Sequence, residues 1–183
     1  LYNYDLTGFL PQTLQNIADA QHANGAVPTT APEYVVFEGP GMDAFAESPE
    51  WGCTFVVLPF MYYETYGDDS LIRKYYNGMR RYIDYMTTRA NDGIVSFGLG
   101  DWYDYGDFRA GFSRNTPVPL VATAHYYMVV RYLVEAARML DNRYDVAYYT
   151  HLGEEINKAF HREFYHKDTR QYLSLIHISE PTR

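Results

Sequence analysis

The sequence predicts an all-α fold assembled from helical hairpins, and three observations predict it. Five stretches repeat apolar residues at helical spacing. Links inside each pair of helices are short and turn-like, whereas links between pairs are long and rich in Pro, Gly and aromatic residues. The 183 residues are 47% hydrophobic, enough for one domain with a sizeable core. Long loops at one end and tight turns at the other are what a barrel of paired helices needs, with one end closed and one built into a cleft.

The first helix is expected from Asp5 to Ala23, with Leu6, Phe9, Leu10, Leu14, Ile17 and Ala18 in its apolar stripe. Pro11 either sits in the first turn or kinks the helix, and Asn24-Gly25 ends it. Residues 26–48, with Pro28, Pro32 and Pro40, have little periodicity and form a long loop of the kind that carries function. A second helix starts near Pro49 and places Trp51, Phe55, Leu58 and Tyr62 on one face, bent by Pro59 and closed by Gly67.

Asp68 or Asp69 caps a third helix reaching Ala90, with Ile72, Tyr75, Tyr76, Met79, Ile83 and Met86 as its stripe. Arg80, Arg81 and Arg89 are assigned to its solvent face. A glycine- and aromatic-rich loop spans 91–115. Thr116 then reads as an N-cap with Pro117 at the first position of a fourth helix, which runs to Leu140 through Val121, Ala124, Met128, Tyr132 and Leu133. A fifth covers Asp145 to Phe164, with Val146, Tyr149, Leu152, Ile156 and Phe160, and a short hairpin around Lys167-Asp168-Thr169 follows. The two hairpins repeat in architecture, with weak sequence similarity.

Composition narrows the function. A net charge of −8 argues against nucleic acid or an anionic membrane as partner. No apolar run is long enough to cross a bilayer. The single cysteine, Cys53, excludes an internal disulfide and reads as an inert buried thiol. His22, His125, His151, His161 and His166 are dispersed without metal-ligand spacing; His125 reads as a satisfied core histidine, His161 and His166 as surface. There is no phosphate loop, nucleophile elbow or zinc motif, so neither cofactor nor metal is expected.

The candidate site lies in Gly98-Leu99-Gly100-Asp101-Trp102-Tyr103-Asp104-Tyr105-Gly106. A carboxylate accepts hydrogen bonds from sugar hydroxyls and an indole covers an apolar sugar face, so Asp101 and Trp102 suit a carbohydrate. The alternative has Asp101 capping a turn and Trp102 plugging the core. Trp51, in Glu47-Ser48-Pro49-Glu50-Trp51-Gly52, carries the same two readings. Asp43, Glu47 and Glu50 are candidates for paired acid–base carboxylates, or acids complementing a helix dipole.

The segments "ESPEWG", "YYETYGDDSLIRKYYNGMRRYIDYM", "GLGDWYDYG" and "TPVPLVATAHYY", in this order, resemble the bacterial α-L-rhamnosidases, and the opening "YNYDLTGFLPQTLQNIADAQHANGAVPTTAPEY" resembles the stretch after that family's catalytic-acid segment. The resemblance implies a partial (α/α)6 barrel, a six-hairpin toroid of which this chain supplies somewhat under half of the helices. It implies inverting removal of terminal α-L-rhamnose from glycosides or polysaccharides. Trp51 and Trp102, and Asp101 with them, would line the sugar pocket. The catalytic acid would precede Leu1 and the base would lie in the later half of the barrel, so no catalytic residue is expected in this chain and the remainder of the parent chain is its partner.

Residues 1–172 are accordingly expected to be a partial catalytic domain, mid-protein in character from Leu1 onward, of a secreted or periplasmic enzyme. Residues 173–183 resemble a translated sequencing adapter and are set apart from the fold. Two other readings stand beside this one: another (α/α)6-barrel glycosidase, and a non-catalytic helical module that binds carbohydrate or a protein partner.

Overall fold

The computed structural model describes residues 3–172, the side chain of Arg109 excepted, so the adapter-like segment lies outside the described residues. Helix α1 (Phe9–Ala20) is followed by two short helices, α2 (Asp43–Ala46) and α3 (Pro49–Gly52). Then come the hairpin α4 (Thr54–Tyr66) and α5 (Ser70–Arg89), the strands β1 (Asp104–Gly106) and β2 (Phe108–Gly111), and the hairpin α6 (Val118–Met139) and α7 (Arg143–Phe164). A two-residue ribbon, β3 (Tyr165–His166) with β4 (Gln171–Tyr172), closes the described chain.

Helix α1 packs on α4 and α5, α6 packs on α4 and α5, and α7 lies along α6. The stripe read from α5 is buried throughout: Ile72, Tyr75, Tyr76, Met79, Ile83 and Met86. Leu10, Leu14 and Ile17 are the buried face of α1. Pro11 is the third residue of α1 and needs no kink, because first-turn N–H groups have no intrahelical acceptor.

The tight turns gather at one end. Gly67 takes φ 70° and returns its N–H to Tyr63 O at 2.8 Å, closing α4 as expected. There the Tyr66 hydroxyl accepts Leu6 N–H at 3.0 Å and ties the start of the chain to the end of α4. Arg73 Nη2 stands 3.5 Å from Met139 O, joining the start of α5 to the end of α6. The long segments 21–48 and 90–117 gather at the opposite end, beyond the C-termini of α1 and α5.

Five expectations are corrected. The single helix expected from Pro49 to Gly67 is two, broken at Cys53, with Pro59 inside the second; Gly52 presses on α5, where an added Cβ would meet the Tyr82 hydroxyl at 2.7 Å. Both long loops contain structure, α2 in one and the β1–β2 ribbon in the other. Helix α6 starts one residue later than read, and Thr116 gives it no side-chain cap. The buried face of α6 runs through Ala122, Tyr126, Val129, Val130 and Leu133, while Ala124 is exposed. Finally, Arg80 is not a free solvent charge: its Nε stands 3.3 Å from the buried Asp145 carboxylate, which also accepts the Tyr76 hydroxyl at 2.7 Å and Asn142 Nδ2 at 2.8 Å.

Candidate functional site

The two tryptophan-bearing segments meet through Glu50. Pro49 starts α3 and Ser48 precedes it, which leaves the Glu50 side chain free to reach across to the 98–100 loop. Glu50 Oε1 accepts Gly100 N–H at 3.0 Å, and Oε2 accepts Leu99 N–H at 3.4 Å together with the Ser48 hydroxyl. Leu99 N–H also lies 3.2 Å from Ser48 Oγ. These buried loop amides would otherwise lack partners.

Glycine is required for that approach. Gly98 takes φ 117°, and a Cβ there would stand 2.6 Å from Glu50 Oε2 and 2.7 Å from Pro49 Cδ. Glu50 is thus occupied by backbone amides, and Glu47 accepts from the Tyr85 hydroxyl and from Arg89 Nη1 at 3.2 Å. Neither is placed as half of a free catalytic pair with the other.

Trp51, on α3, is half-buried. Trp102 is 37% exposed, so it rims the loop end and does not plug the core. Its ring meets Phe45 of α2 edge-on at 5.1 Å and Phe112 at 5.5 Å. Asp101 is exposed and caps no turn; among the described residues its carboxylate has no hydrogen-bond or ion-pair partner. The neighbouring Asp104 behaves oppositely. It is buried and accepts Asn115 N–H at 2.7 Å and Arg114 N–H at 2.8 Å, which hold its carboxyl below the ordinary carboxylate value. That pairing pins β1 to the segment leading into α6.

A second polar cluster at the same end escaped the sequence. His22 Nε2 lies 2.9 Å from Glu33 Oε2, and His22 Nδ1 lies 3.8 Å from Glu47 Oε1. Arg89, expected in solvent, spans Glu47 and the Phe97 ring, 4.4 Å from its centroid. Burial and the Glu47 carboxylate raise the Tyr85 phenol well above its ordinary value. These contacts link α1, the 26–48 loop and α5 across separations no local pattern reveals; Phe45 and Phe112 were missed for the same reason. Cys53 is buried as expected, and burial with the nearby Glu50 charge pushes its thiol up to about 11. His125 Nδ1 lies 2.9 Å from Val121 O, a satisfied histidine on α6.

Among the described residues no three His, Cys, Asp or Glu side chains are grouped to hold a metal ion, and no helix is long and apolar enough to cross a membrane. A cavity of about 630 Å³ between Arg138, Val146, Thr150 and His151 contains neither tryptophan and lies near the tight turns.

Paired helices with tight turns at one end, and aromatic and acidic loops gathered at the other, define a six-hairpin glycosidase type of helical domain. The family model for the bacterial α-L-rhamnosidase six-hairpin glycosidase domain matches residues 1–179, and the chain belongs to that family. It is 26% identical to an α-L-rhamnosidase of Formosa agariphila across 95% of this chain and 19% of that protein. The α-L-rhamnosidase structure from Dictyoglumus thermophilum superposes with a TM-score of 0.80 at 27% identity, over 91% of this chain and 18% of that one. The Streptomyces avermitilis α-L-rhamnosidase complexed with L-rhamnose gives a TM-score of 0.72 at 26% identity, over 87% and 14%. The chain therefore spans less than one-fifth of the length of these relatives.

Proposed function

We propose that these residues form part of the sugar-binding wall of an inverting α-L-rhamnosidase acting on terminal α-L-rhamnose of glycosides or polysaccharides. The observation that carries the reading is the Glu50 bridge, which ties the segment bearing Trp51 to the loop bearing Asp101 and Trp102. Rhamnose has a methyl group where most hexoses carry a hydroxymethyl, and an indole face complements that apolar edge. The exposed Asp101 carboxylate, which has no hydrogen-bond or ion-pair partner among the described residues, suits a pair of sugar hydroxyls, each donating one hydrogen bond.

In the proposed reaction a carboxylic acid protonates the glycosidic oxygen while a second carboxylate takes a proton from water on the opposite face of the ring. The resemblance to the α-L-rhamnosidases implies that both catalytic carboxylates lie in segments outside residues 1–172, and the contacts of Glu47 and Glu50 with Tyr85 and with the Gly100 amide are those of positioning groups. These residues then bind and orient the sugar.

The complete polypeptide carrying residues 1–172 should release the aryl group from an aryl α-L-rhamnoside, and a rhamnose soak should place the sugar against Trp51 and Trp102. Cleavage of a different aryl glycoside with none of the rhamnoside would replace this reading with another six-hairpin specificity. Sugar bound without turnover of any glycoside would favour a binding module.

A further inference from the structure

Residues 33–41 hang between two anchored points. The turn that carries His22 is fixed to α5, because Gln21 Nε2 donates to Gly78 O at 2.9 Å. Further on, Thr29 N–H donates to Ala46 O at 3.1 Å and closes the base of the long segment. Between these points the backbone bonds are local, Tyr34 N–H to Pro32 O at 2.9 Å and Met42 N–H to Gly39 O at 3.1 Å. All of residues 33–41 are exposed except Glu33 and Phe37. Among the described residues, the one side-chain polar contact of this stretch is Glu33 with His22.

Both ring nitrogens of His22 face carboxylates, Nε2 towards Glu33 at 2.9 Å and Nδ1 towards Glu47 at 3.8 Å. A neutral imidazole has one N–H and can serve only one of them; the imidazolium has two, and a positive charge. Glu47 also has Arg89 and the Tyr85 hydroxyl from α5, whereas Glu33 has His22 alone among the described residues. Arg81, one turn before Tyr85 on α5, goes instead to Gln21 Oε1. Asp19 of α1 accepts from Gln15 Nε2 at 2.7 Å. Loss of the His22 proton therefore leaves Glu33 with no counter-charge, while Glu47 keeps one.

The ring's reach extends to both tryptophans. Phe37, the other inward residue of the stretch, stacks on Phe45 at 5.6 Å, and Phe45 meets Trp102 edge-on. Glu47 lies four residues before Trp51. His22 thus holds both ends of a segment that seats one indole and leads into the other.

We infer that His22 is a positioning residue whose imidazolium clasps Glu33 and Glu47, holds residues 33–47 against Trp102, and makes sugar affinity rise as histidine gains its proton. Below the histidine range, between about pH 5 and 8, the ring is charged and the clasp complete. Above it Nε2 can still donate to Glu33, but without the charge that strengthens such a bond. The effect on sugar rests on the rhamnoside reading above; the clasp itself does not.

The test compares the complete polypeptide with its His22→Gln and His22→Lys variants at about pH 5.5 and about pH 8. Two quantities are read. One is the dissociation constant for L-rhamnose. The other is the fluorine NMR shift of Trp102 in protein labelled with fluorotryptophan, assigned as the signal lost in Trp102→Phe. In the parent the constant should rise roughly fivefold towards the higher pH, and the signal should move with it. His22→Gln, neutral throughout, should hold the weaker value at both pH values, and His22→Lys, charged throughout, the tighter one. A Trp102 signal that responds to pH equally in the parent and in His22→Gln overturns the clasp, whatever binds. A signal that moves only in the parent, with an unchanged dissociation constant, overturns the positioning role. The same signal with no rhamnose bound at either pH upholds the clasp and overturns the rhamnoside reading.

Discussion

Gly100 N–H lies 3.0 Å from Glu50 Oε1, a contact between residues fifty positions apart that sets one tryptophan segment against the other. A partly buried carboxylate held by two loop amides and a serine hydroxyl acts as a staple. The consequence is that the loop carrying Asp101 and Trp102 inherits its position from the start of α3.

Glu50→Ala removes the acceptor of the buried Gly100 amide and leaves Leu99 N–H with Ser48 Oγ alone. It should cost about 1–3 kcal/mol of unfolding free energy. Iodide should also quench Trp102 fluorescence more strongly. Unchanged quenching together with an unchanged urea midpoint would show that the staple carries no load.

Gly98→Ala attacks the same contact from the other side. A Cβ there falls 2.6 Å from Glu50 Oε2 on a backbone at φ 117°, so steric and conformational penalties add. The expected loss is about 2 kcal/mol or more, with far-UV helix content retained. A variant as stable as the parent would mean that the loop stands further from α3 than described.

Replacement of Trp102 by Ala should weaken L-rhamnose binding by roughly tenfold, and Trp51→Ala by a similar factor, as read by calorimetric titration. Binding that survives both substitutions would disprove the role proposed for the pair.

Asp104 makes stability depend on acid. Backbone N–H groups of Asn115 and Arg114 favour its ionised form and hold the folded carboxyl below its ordinary value of 3.8. Its contribution is therefore complete above about pH 4 and drains away as pH falls through the lower folded value. Denaturant midpoints measured from neutral pH down to pH 3 should fall less steeply for Asp104→Asn than for the parent. Parallel curves would refute the assignment.

Cys53 should resist alkylation. With its thiol raised to about 11 by burial and by the Glu50 charge, iodoacetamide at pH 8 should label it only after unfolding. Rapid labelling of the folded chain would contradict the packing around α3.

The sequence revealed most where one helix face is apolar and the other polar. The stripe from Ile72 to Met86 and the stop at Gly67 follow from spacing and from glycine's access to φ above zero. Helix α6 was harder, since Val, Ala, Met and Tyr surround it and periodicity alone does not choose between Ala122 and Ala124. The β1–β2 ribbon lacks alternating hydrophobicity; Asp104 accepting from Asn115 fixes it instead. Arg80 was misassigned because Asp145, which draws it inward, sits on a helix 65 positions later. The tryptophans were visible as candidates, but the carboxylate that joins their two segments looked like an ordinary helix-start acid.

The separation of tight turns from long loops gives the fold an interchangeable rim on a fixed chassis. Gly67 and the Tyr66–Leu6 contact close one end without involving any residue assigned to sugar. Insertion or trimming at the exposed turn 38–43 should therefore leave the packing around Leu14, Met79 and Leu133 as it was, whereas Ala26, Val27 and Val95, on the same long segments, belong to that core.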